Sequence, residues 1–163
     1  MSENKSRRCS CSADNTDNAI LCPRALIIEA AKGNRLGVRS HLNAGGHPDA
    51  TVIGKPTALC YAALSNDIEM AWLLIKAGAL LDYQDGTGNT PIIYAVLSGS
   101  EEVLDLLLTT GAKLTMCNQQ GKSAADYAFC THRNNFHIQQ VIHNHKQYEG
   151  LATQADSMQI TLH

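Results

Sequence analysis

Apolar residues recur at spacings of three and four along most of the chain, and the recurrence is itself repeated. From 85 to 112 the sequence reads DGTGNTPIIYAVLSGSEEVLDLLLTTGA. It predicts a glycine-rich turn, a short apolar helix opened by Thr90-Pro91, a turn at Gly99, a second helix and a stop at Gly111. Val103, Leu106 and Leu107 put one apolar stripe on that second helix, and Glu101 and Glu102 favour the positive end of its dipole. Thr90, Tyr94, Ala95 and Gly111 recur 33 residues earlier as Thr57, Tyr61, Ala62 and Gly78. The first three recur again, 33 residues later, as Ser123, Tyr127 and Ala128.

The neighbouring stretches carry the same helical hairpin with graded fidelity. In the unit from 52 to 79, Thr57 is placed to cap a helix through Cys60, Tyr61, Ala62 and Ala63, and Asn66-Asp67 to cap one carrying Met70, Leu73 and Leu74. Gly78 and Gly111 stand where a helix stop wants positive φ, which glycine adopts without a Cβ penalty. Upstream, ALIIEAAKGNRLGVRSHLNAGG from Ala25 predicts helix, turn at Gly33-Asn34, helix, and a stop at Gly45-Gly46. There Ser40 and His41 replace the leucines, as a terminal unit with a polar outer side would require. Downstream, Gly121, Ser123, Ala125, Tyr127 and Ala128 begin a fourth unit. Some two extra residues between Cys130 and Asn135 then precede the stripe Ile138, Val141 and Ile142. Units are thus expected at 20–51, 52–84, 85–117 and 118–146. A polar tail at 1–19 is expected to stay disordered, and in the tail at 147–163 only Met158, Ile160 and Leu162 suggest a packing contact. The fold class is all-α.

Composition narrows the chemistry. Aromatic residues make up 5% of the 163, so packing is expected through small and aliphatic side chains. A formal charge of −2 supplies no field to recruit nucleic acid or an anionic membrane. No apolar run approaches the roughly 18 residues of a membrane helix, and the basic residues of MSENKSRRCSCSADNTDNA are followed by no hydrophobic stretch, so no export signal is expected. Of the six cysteines at 9, 11, 22, 60, 117 and 130, Cys60 and Cys130 fall in apolar helical segments where buried thiols are ordinary. Reduced thiols and a cytoplasmic setting are expected.

The runs Thr-x-Leu/Ile-x-Tyr-Ala at Thr57–Ala62 and Thr90–Ala95, with Gly78-Ala79 and Gly111-Ala112, resemble the ankyrin repeat. Its period of 33 and its Thr-Pro-Leu-His-x-Ala signature are matched by the spacing and by TPIIYA, with Cys60 and Ile93 in place of the signature histidine and Ala58 in place of proline. The resemblance covers roughly Ala25 to His145, the outer two units being degenerate caps. It implies a solenoid of stacked helix-turn-helix units with β-turn fingers between them, each unit burying its face only against its neighbours.

It also implies where partners bind: the finger tips and the concave face of the first helices. Carried over by position, the tips are Val52, Ile53, Gly54 and Pro56; Gly86, Thr87 and Asn89; and Gln119, Gln120 and Lys122. The helix ends are Leu64-Ser65, Leu97-Ser98 and Cys130-Thr131. Val52 and Ile53 are apolar where a tip is normally polar, either as an anchor for a partner or because the tip folds onto its own chain. The ladder Tyr61, Tyr94 and Tyr127 is placed to stack a ligand or to pack neighbouring first helices, and tyrosine is frequent there in the family. Trp72 shares its register with Asp105 and is expected to face outward, as an interface anchor or lying over the next unit.

His132, His137, His143 and His145 near Cys130 invite a zinc hypothesis, but their spacing is no recognised ligand set, and Cys9, Cys11 and Cys22 are equally weak. No phosphate-cradling glycine loop, nucleophile elbow or His-Glu-x-x-His run is present, so neither catalysis nor a cofactor is expected. The expectation is an adaptor, inhibitor or immunity-type protein, monomeric outside its complex, that masks another protein's surface. The alternatives are a bacterial effector secreted into a host cell without a signal peptide and, far behind, a metal-dependent enzyme.

Overall fold

The computed structural model describes residues 22–131 and 138–145. They form α1 (Pro23–Ala31), α2 (Arg35–Asn43), α3 (Ala58–Leu64), α4 (Ile68–Lys76), α5 (Pro91–Ser98), α6 (Glu101–Thr109) and α7 (Ala124–Thr131). Residues 138–145 are helical too, here α8. The tail at 1–19 with Cys9 and Cys11, the histidines His132 and His137, and the tail at 147–163 lie outside the described residues.

Local chemistry sets the helix boundaries. The Asp67 side chain accepts the Met70 N–H at 3.0 Å to open α4, and Asn34 accepts the Gly37 N–H at 3.2 Å to open α2. At the other end of α4, Gly78 N–H donates to Ile75 O and Ala79 N–H to Leu74 O, a Schellman stop that recurs after α6 from Gly111 and Ala112. It needs φ of +88° at Gly78 and +97° at Gly111, the left-handed region that the sequence assigns to glycine.

Thr57 and Thr90 do occupy N-cap positions, but neither hydroxyl caps backbone. The Thr57 hydroxyl turns instead to the Cys60 sulfur, 3.4 Å away. In the equivalent register Ile93 stands where Cys60 does and offers no acceptor, and the Thr90 hydroxyl is buried without a hydrogen-bond partner. In the fourth unit Asp126 takes that place and accepts from both Ser123 N–H (2.8 Å) and its hydroxyl (2.6 Å).

Helices α1, α3, α5 and α7 stack as one layer, and α2, α4 and α6 as a second. The core lies between them: Leu26, Leu59, Met70, Leu74, Ile92, Ile93, Leu104 and Leu107 are fully buried. On α6 the buried set is Val103, Leu104, Leu107 and Leu108, while Leu106 is half-buried, so the stripe is wider and turned from the one expected. Ile138 and Ile142 are buried like Val103 and Leu107, two residues beyond the 33-residue register, where the insertion predicts them.

Two expectations need correction. His41 is not part of a polar outer side. It takes the core register of Leu74 and is 2% exposed, against Gly46, where a Cβ would fall 2.2 Å from the ring Nε2. A glycine there makes room for an imidazole in the core. Cys130, expected buried, is exposed, because it shares the outward register of Leu64 and Leu97; among the described residues Cys22 and Cys60 are the buried thiols.

Candidate functional site

The fingers are the loops that join each second helix to the next first helix, and each is built around one residue at its base. In the second finger that residue is Asp85. One carboxylate oxygen accepts Thr87 N–H (2.8 Å), the Thr87 hydroxyl (2.7 Å) and Asn89 N–H (3.0 Å); the other accepts the Tyr94 hydroxyl. Burial alone would raise the Asp85 pKa, but the bonds from Tyr94, Thr87 and Asn89 outweigh it and hold the carboxyl below its ordinary range. Burial and the Asp85 carboxylate together push the Tyr94 phenol upward. In the third finger Asn118 does the same work: its oxygen accepts Gln120 and Lys122 N–H, and its nitrogen donates to the Tyr127 hydroxyl at 3.0 Å.

The first finger has Val52 in this place, and Val52 has no side-chain acceptor. Its turn is closed by Lys55 N–H on Val52 O and by the Thr51 hydroxyl on Lys55 O. Val52 is therefore a half-buried base residue rather than a tip, which corrects the placement expected from sequence. Ile53, beside it, is the tip and is 98% exposed.

Neighbouring fingers are tied to one another. Gly86 N–H donates to Gly54 O, Gln119 N–H to Thr87 O, and the Gln119 side chain to Gly86 O at 2.8 Å. Gly86 approaches so closely that a Cβ would sit 2.8 Å from Gly54 O and 2.9 Å from its Cα. Asn89, half-buried, accepts from Asn118 at 2.8 Å, and Pro56 is half-buried. Gly86, Asn89 and Gln119 thus hold the strip together. Ile53, Thr87, Gln120, Lys122 and Lys55 form its outward chemistry, with Lys122 5.6 Å from the Tyr127 ring.

On the first-helix layer, Tyr61, Tyr94 and Tyr127 are half-buried against the core, and the last two anchor finger bases through their hydroxyls, which is the packing role. Ile28 precedes them in the same register and is half-exposed, an apolar position that the repeat signature does not mark because α1 carries no tyrosine. Leu64 and Leu97 project from the helix ends, while Ser98 is occupied by the Ala63 and Tyr94 carbonyls.

Trp72 belongs to the other layer. It is 47% exposed over a shallow groove of about 270 Å³ lined by Ile68, Glu69 and Leu106, with Lys76 Nζ 4.8 Å from the ring. The structure does not bring it together with Ile53. Cys60 is no nucleophile: burial pushes its thiol up to about 11, so it is neutral at physiological pH. Among the described residues no three His, Cys, Asp or Glu side chains are placed to hold a metal, and His145 sits 3.2 Å from Leu108 O.

A family model described as ankyrin repeats matches the chain in three copies, over residues 26–118 and 59–144. No curated protein matches it. Ankyrin repeats in general mediate protein–protein interaction and are not catalytic. Stacked hairpins, linked fingers and matched residues together make this chain a member of the ankyrin-repeat family.

Proposed function

We propose that the chain is a masking protein, an inhibitor or adaptor, that holds one partner protein along its fingers and first-helix layer. The observation that carries this is Ile53. A β-branched apolar side chain at the tip of the first finger, 98% exposed, stabilises nothing in its own fold. Leu64, Leu97 and Ile28 extend the apolar character across the adjoining layer, and Lys55 and Lys122 edge it. No exposed carboxylate stands on the finger tips, since Asp85 is buried, so an apolar and acidic partner surface fits best.

The test compares the wild type with Ile53→Asp in affinity capture, with circular dichroism and thermal melting in parallel. The variant is expected to keep its helicity and melting temperature while losing partner recovery by about tenfold or more, the scale of an interface anchor. Undiminished capture by a folded variant would remove Ile53 from the interface.

A further inference from the structure

The second-helix layer has a pattern of its own. Helices α2, α4 and α6 are each nine residues long and stand in one 33-residue register, so equivalent positions lie side by side across the layer. One such row is Arg39, Trp72 and Asp105: a cation, an aromatic ring and an anion, all exposed. The row one turn earlier is Arg35, Ile68 and Glu101, with the same order of charge. Between them lies the groove lined by Ile68, Trp72 and Leu106 and by Glu69, whose carboxylate is paired with Arg35. Arg35 is already engaged by Asp67 and Glu69 of its own chain, whereas among the described residues neither Arg39 nor Asp105 has an ionic partner.

We infer that this layer is a self-association face that takes a second copy of the chain. A two-fold axis lying along α4 turns one layer onto another at unchanged height. It sets Trp72 on Trp72 and Ile68 on Ile68, and it brings each Arg39 opposite the other copy's Asp105. A two-fold interface must be complementary to itself, and a basic–apolar–acidic order about a central helix has that property. An axis across the helices would oppose Arg39 to Arg39, so the charges select one operator of the two. A basic peptide would satisfy Asp105 and the groove but would meet Arg39 with like charge, which is why the second copy fits better. Three helices about 13 Å long and about 10 Å apart offer on the order of 400 Å² of face. That is below the roughly 800 Å² per partner of a stable interface, so the dimer is weak and forms with rising concentration. The finger strip lies outside this layer and stays open in each copy.

The test is sedimentation of the full chain from about 10 μM to about 1 mM at low salt, with emission of Trp72, the single tryptophan, read alongside. Association with a blue shift of emission is expected for the wild type. Arg39→Asp and Asp105→Arg should each weaken it by about tenfold, since each reversal places two like-charged pairs across the axis. The double reversal, and an equimolar mixture of the two single variants, should restore it, because opposite charges then face each other at both contacts. Circular dichroism of each variant distinguishes lost association from lost folding. A wild type that stays monomeric over the whole range would overturn the proposal. So would association indifferent to both reversals, or a lysine-rich amphipathic peptide that shifts Trp72 emission while the chain remains monomeric.

Discussion

At single positions the most consequential feature is how each unit answers the polar residue that opens its first helix. Thr57 has the Cys60 thiol, Ser123 has the Asp126 carboxylate, and Thr90 has only Ile93. A buried hydroxyl without a partner costs about 1–3 kcal/mol, and valine has nearly the same shape and suits the extended φ of −97° at this cap. Thr90→Val is therefore expected to raise stability by about 1 kcal/mol in urea unfolding, an unusual sign for a change at a signature position. Asp85 supplies a second expectation. Its folded pKa lies below the ordinary value of 3.8, so its contribution is full above that value and disappears as pH falls through the folded one. Acid unfolding monitored by circular dichroism should lose part of its steepness below about pH 4 in Asp85→Asn. That variant should still fold, because Asn118 already builds the same turn with an amide. The deciding contacts at Val52 and His41 were not legible in the sequence. Which residue of VIGKP is base and which is tip depends on the bonds that close the turn, from Lys55 N–H to Val52 O and from the Thr51 hydroxyl to Lys55 O, and His41 reads as surface until Gly46 is placed beside it.

The helices follow periodicity and stop signals closely, since both are local. Asp67, Gly78 and Gly111 each act on backbone within five residues, so their effect can be read from neighbours alone. The orientation of the stripe is less legible, because it is set by contact with the next unit. Val103, Leu106 and Leu107 mark the right helix, but Leu104 and Leu108 share the core while Leu106 turns toward the groove beside Trp72. Truncation separates the two: Leu107→Ala is expected to cost about 2–5 kcal/mol, and Leu106→Ala about 1–2 kcal/mol, by urea denaturation. Equal losses would place Leu106 in the core after all. The Asn66 side chain, donating to Glu102 at 2.8 Å, and Asp49, accepting Leu80 N–H at 2.9 Å, join one unit's turn to the next unit's chain.

For the molecule as a whole, the two layers present two different surfaces. The first-helix layer and fingers present Ile53, Leu64 and Leu97, and the second-helix layer presents Trp72 between Arg39 and Asp105. Repetition made the scaffold readable, and departures from repetition mark where surfaces differ, as Ile53 does against Gly86 and Gln119. The hydrogen bonds between fingers carry a consequence for measuring the array. At Gly86 and Gln119 the amide belongs to one unit and its carbonyl acceptor to the unit before. Helix amides exchange with deuterium when a helix frays, but these two exchange when neighbouring fingers part. They are clocks for the opening of one finger from the next. Partner binding at the first finger should slow Gly86 more than Gln119, a gradient that deuterium uptake can record.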